Sequence, residues 1–136
     1  MGSRRRGREA ALQMLYQMDV TDCSAAHAVK TFWPNLGSGR DGEEFGNALV
    51  EGFGEDRERI DETIRKVSHH WRLERMTRVD RNILRLATYE LLSLSDVPRK
   101  VTLNEAIELA KRFGSEGSAG FVNGVLDRIA TDLAKE

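Results

Sequence analysis

The sequence contains one cysteine, Cys23, and two prolines, Pro34 and Pro98. A single thiol excludes an intrachain disulfide and fits a reducing cytoplasm. With so little proline, and with β-branched and aromatic residues scattered among Leu, Ala, Arg and Glu, the composition favours helix nearly throughout and argues against extended sheet. No stretch without a charged side chain exceeds the ten residues from Gly117 to Leu126, against the roughly eighteen that a membrane span needs, so no contact with a bilayer interior is expected. A secretion signal is not expected either, because Glu9 and Asp19 interrupt what would be its apolar segment, and MGSRRR lacks the Ser or Thr of a myristoylation signal at position six. Material for catalysis or metal binding is thin. Cys23 sits in no motif, and His27, His69 and His70 have no zinc-type spacing; His69 and His70 read as helix-end residues favoured by the macrodipole. No cofactor is implied.

What is present is a chain of 136 residues, 40% apolar and 32% charged, long enough for one globular domain with a real core. Its formal net charge of -1 conceals an asymmetry. Arg4, Arg5, Arg6 and Arg8 crowd the first eight positions, which hold no acid, while the remaining 128 residues carry 17 basic and 22 acidic side chains. A basic arm on an acidic body points to a focused site for a polyanion; a solvated tail is the alternative that charge alone leaves open.

Periodicity predicts about seven helices. The first runs from Arg4 or Arg8 to Asp19, with Ala11, Leu12, Leu15 and Met18 on one side and Gly7 weakening its first turn. SAAHAVKTFW forms a short second helix stopped by Pro34, and NLGSGRDG is the most loop-like segment. Asp41, with Glu44 three residues on, caps a helix that carries Phe45, Leu49 and Phe53 inward. After Gly54 another helix places Ile60, Ile64, Val67 and Trp71 on its apolar face. VDRNILRLATYELLSL is apolar around most of its circumference, leaving a narrow stripe of Arg78, Arg81, Arg85 and Thr88, and is the expected central helix. Thr102 and Glu105 form a capping box for the next one. The last begins near Ala119 and buries Val122, Val125, Leu126, Ile129 and Leu133. The expected fold is all-α, a compact helical bundle.

Three rings are candidates for work outside the core. Tyr16 is turned about 100° from the buried centre of the first helix and lies about 20° from Arg5 around the axis. Phe121 precedes the apolar face of the last helix by one position, and Phe113 ends the preceding helix toward the same glycine-bearing turn, FGSEGSAGFVNG. That turn matches neither a phosphate-binding loop nor a dinucleotide fingerprint. Basic charge beside rings is how proteins hold single-stranded nucleic acid; the alternative is that all three rings are core.

RRRGREAALQMLYQMDV, VDRNILRLATYEL and DVPRKVTLNEAIELAKRFGSEGSAGFVNGVLDRIA closely resemble the NusB family of bacterial transcription antitermination factors, specifically over residues 4 to 20 and 77 to 130. The resemblance implies two helical sub-bundles and a non-enzymatic, cytoplasmic protein, monomer or homodimer. It implies binding to boxA-type single-stranded RNA of ribosomal RNA operons, together with the ribosomal protein NusE, within the RNA polymerase antitermination complex. By position it makes Arg4, Arg5, Arg6, Arg8, Tyr16, Phe113 and Phe121 RNA contacts, and Glu74, Asp80 and Arg81 protein-partner contacts. One departure stands out: Gly117, Ser118, Ala119 and Gly120 occupy the place where some family members carry an acidic and then basic residues. Two rivals remain from the residues alone, a helical interaction module that never touches RNA and a small enzyme using the glycine turn for a phosphorylated substrate.

Overall fold

A computed structural model describes residues 2–36 and 39–136. Among these residues every regular element is helical: α1 (Ser3–Thr21), α2 (Ala25–Leu36), α3 (Glu43–Glu55), α4 (Arg57–Val67), α5 (Arg78–Ser93), α6 (Arg99–Phe113) and α7 (Ser118–Asp132), with one 3-10 turn at Leu73–Arg75. The all-α class and the seven helices agree with the sequence reading. The chain divides into two compact units, Met1–Glu55 and Asp56–Glu136.

In the first unit α1, α2 and α3 pack on one another. Leu12, Met14, Leu15 and Met18 of α1 are buried, as are Ala28 and Trp33 of α2 and Leu49, Val50 and Phe53 of α3. The indole of Trp33 donates to Asn47 Oδ1 at 2.7 Å, which satisfies its one polar atom. Helix α2 passes through Pro34 instead of ending before it. Proline removes a donor only from the last turn here, and Asn35 Nδ2 closes that turn onto the Thr31 carbonyl at 2.8 Å. The expected loop NLGSGRDG includes Gly37 and Ser38, which lie outside the described residues; Gly39 and Gly42 have φ of 46° and 81°.

In the second unit α5 is central and packs on α4, α6 and α7. It begins on Thr77, whose side chain accepts the Asp80 N–H at 3.2 Å. The stripe of Arg81, Arg85 and Thr88 is itself buried, so α5 has less solvent-facing surface than its pattern predicts. Arg85 is held in two-pronged fashion by Asp61 of α4, Nε to Oδ1 at 2.8 Å and Nη2 to Oδ2 at 3.0 Å, and its Nη1 donates to Asn82 Oδ1 at 3.2 Å. Helix α6 starts three residues before the expected capping box, after Pro98, whose fixed φ of -63° suits a helix entry. Thr102 is instead buried within α6 and donates to Glu90 Oε1 at 3.4 Å.

Candidate nucleic-acid interface

The arginine-rich start is helix, not a free arm. Residues 3 to 8 form the first turns of α1, and Gly7 is what lets them approach α3. A Cβ on Gly46 would stand 2.8 Å from the Gly7 carbonyl oxygen, and one on Gly7 would stand 2.9 Å from that of Gly42, so backbone meets backbone across a strip of glycine. Gly42 has φ of 81°, a conformation that favours glycine. The residue that sequence reasoning takes as a weakness in the helix is thus a packing device.

The four arginines separate into two kinds. Arg4, Arg5 and Arg6 are exposed, whereas Arg8 is 4% exposed and cannot present its charge as an RNA contact at the surface. Its guanidinium lies 5.2 Å from the centroid of the Phe45 ring, and that of Arg4 lies 4.7 Å from the same centroid. The first turn contains no acid. Guanidinium charge therefore adds to the positive end of the helix dipole instead of being compensated by it, an arrangement that favours an approaching anion. Tyr16 is 42% exposed and lies three turns along α1 from Arg5, on the stripe expected from the helical angle.

In the second unit Phe113 is 37% exposed, with the Arg112 guanidinium 5.2 Å from its ring centroid. Phe121 is half-buried at the start of α7, just after Gly117, whose φ is 91°. Its ring meets Trp71 edge to face, with centroids 6.4 Å apart and planes at 80°. Trp71 departs from the sequence reading. Helix α4 ends at Val67, where Ser68 Oγ and N–H both donate to the Ile64 carbonyl, and the chain turns before the next apolar step. Trp71 is left 59% exposed, and sequence reasoning missed it because a correct four-residue spacing was carried past the end of the helix.

The three candidate partner contacts also differ in placement. Glu74 is exposed and accepts from Arg65 Nη2 at 2.8 Å. That hydrogen bond, helped by a backbone hydrogen bond, holds the Glu74 carboxyl below the usual carboxylate range, and the same contact raises Arg65. Asp80 is half-buried in the first turn of α5, and its Oδ1 has no hydrogen-bond partner among the described residues. Arg81 is buried and points its Nη1 at the carbonyls of Leu73 at 3.1 Å and Met76 at 3.3 Å. It secures the 3-10 turn that carries Glu74 and offers little surface charge to a partner, because its Nη1 is turned onto carbonyls of that turn. No helix among the described residues is long and apolar enough to cross a membrane.

Comparison with known proteins places this geometry. The profile of the NusB family matches residues 5–131. A transcription antitermination protein NusB from Sorangium cellulosum is 53% identical over 135 residues, spanning 99% of this chain and 96% of the relative. The solved structure of T. maritima NusB superposes with a TM-score of 0.86 at 41% identity, covering 95% of this chain and 91% of the other. A crystal structure of antitermination factors NusB and NusE in complex with dsRNA gives 0.86 at 28% identity, covering 96% and 97%. On the whole-length match to both sequences and folds, the chain belongs to the NusB family of transcription antitermination proteins.

Proposed function

We propose that this antitermination factor, which is not an enzyme, acts in the cytoplasm by holding boxA-type single-stranded RNA together with a NusE-type ribosomal protein, within the RNA polymerase antitermination complex. The observation that carries the reading is the first turn of α1. Three exposed arginines stand there at the positive end of a helix whose own first turn holds no acid, and Gly7 brings that turn against α3. Arg4, Arg5 and Arg6 bind phosphates, Arg8 supports them from beneath through Phe45, and Tyr16, Phe113 and Phe121 receive bases. Glu74 and the half-buried Asp80 face the basic partner protein, with Arg81 positioning the turn. The related complex of NusB, NusE and dsRNA supports a composite of these three components.

The test is a calorimetric titration of boxA-type RNA and a scrambled control, with and without the partner. Preference for boxA, strengthened by the partner, is expected; equal binding to both, indifferent to the partner, overturns the reading. Changing Arg5 and Arg6 to Gln should lower the log-affinity versus log-salt slope by about 1.4, from roughly 0.7 per single-strand contact.

A further inference from the structure

Trp71 stands between two recesses of the second unit. One, of about 580 Å³, is lined by Arg65, His69, Trp71, Arg72, Glu74 and Arg75 among others. Arg65 and Glu74 neutralise each other at 2.8 Å, which leaves Arg72 and Arg75 as its surplus positive charge. The other, of about 280 Å³, lies between Trp71 and Phe121 and includes Asp80, Ser115, Glu116 and Gly117. That volume is near the small end of the roughly 300–1,000 Å³ range of ligand sites. The indole is not on a loose tail. Its backbone N–H donates to the Ser68 carbonyl at 3.1 Å, and its ring is set edge to face against Phe121.

A large ring at 59% exposure, placed by both backbone and side chain, is poised to stack on something that arrives. The chemistry of its surroundings narrows what that is. On one side two guanidiniums attract an anion. On the other, which Arg75 also lines, the carboxylates of Asp80 and Glu116 accept hydrogen bonds from the exocyclic amines of a base. An object with a flat ring at one end and a phosphate at the other fits both sides of Trp71.

We propose that Trp71, Arg72 and Arg75 extend the site at Phe121 into a nucleotide subsite, the indole stacking on one base of the bound RNA and the two guanidiniums holding its phosphate. This rests on the RNA reading above and adds residues that the family resemblance did not supply. Trp71→Ala should weaken binding of boxA-type RNA about 5- to 150-fold, the loss expected of one stacked base, while Trp71→Phe keeps most of it. Arg72→Gln combined with Arg75→Gln should reduce the salt slope by about 1.4. Thermal melts of each variant check that the fold is kept, as expected for exposed positions.

If the unaltered chain binds the RNA but neither Trp71→Ala nor the double arginine variant changes affinity or slope, this subsite is refuted and the wider reading stands. Loss of NusE-type partner binding by Trp71→Ala, with RNA affinity unchanged, would make the patch a protein surface and refute the proposal equally. Failure of the unaltered chain to bind RNA would remove both readings.

Discussion

Gly46→Ala tests whether the glycine strip sets the position of the arginine-bearing turn. Alanine is favoured over glycine within a helix by about 0.8–1.0 kcal/mol, so a substitution that met empty space should stabilise. Gly124, inside α7, supplies that reference, since a Cβ there has nothing within 4 Å. At Gly46 the new Cβ would stand 2.8 Å from the Gly7 carbonyl oxygen and 3.3 Å from Gly7 Cα. Both are backbone atoms, so no rotamer change relieves the contact and α1 must move off α3. Overpacking of this kind costs about 1–3 kcal/mol, which the helix-propensity gain offsets only in part. The expected net effect is between no change and a loss of about 2 kcal/mol, against a gain of about 1 kcal/mol for Gly124→Ala. Urea melts followed by circular dichroism read both. Because the displaced turn carries Arg4, Arg5 and Arg6, Gly46→Ala should also weaken RNA binding. A Gly46→Ala protein as stabilised as Gly124→Ala would refute the idea that this contact is tight.

Further predictions concern the buried pair, the ring and the exposed carboxylate. Asp61→Ala should lose about 3–5 kcal/mol of stability, because it strands the buried Arg85 charge, and Asp61→Leu with Arg85→Met should recover most of the loss in the same urea melts. Phe121→Ala should cost well under the roughly 3–5 kcal/mol of a fully buried ring while lowering RNA affinity, by denaturation and titration of the same protein; a full core-sized loss with RNA affinity intact would return Phe121 to the core. The Glu74 carboxyl should titrate below its ordinary value by NMR and return toward it in Arg65→Gln. Being a depressed carboxylate, it contributes through its ion pair above the ordinary carboxylate pKa and loses that contribution as pH falls through its own pKa.

Local chemistry made much of this legible in advance. The apolar spacing of Leu12, Leu15 and Met18 and of Val122, Leu126 and Ile129 marked the faces that are buried, and the angle between Leu15 and Tyr16 placed that ring at the edge. Apart from Trp71, the misreadings turn on a residue outside the local pattern. Arg85 reads as one member of a narrow polar stripe, and nothing near it in sequence announces its buried partner, Asp61, 24 positions earlier. Arg8 looks like its three neighbours in sequence, yet packing of the folded first unit leaves it 4% exposed. Gly7 looked like a defect because its helix gives no hint of Gly42 and Gly46. Thr102 has the local form of a cap, yet Pro98 starts the helix earlier and a contact with Glu90 takes the hydroxyl inward.

The unequal burial of the two tryptophans determines what an optical melt can see. Trp33, 4% exposed and hydrogen-bonded, sits in the first unit, while Trp71, 59% exposed, sits in the second. Indole emission shifts when a ring passes from an apolar pocket to water, so Trp33 reports its unit strongly and Trp71, already wet, reports its own weakly. Far-ultraviolet ellipticity weighs the helices of both. A chain whose units melt at different denaturant concentrations would therefore give an early or late emission curve beside a broader ellipticity curve, and coincidence of the two would be direct evidence that the units unfold together.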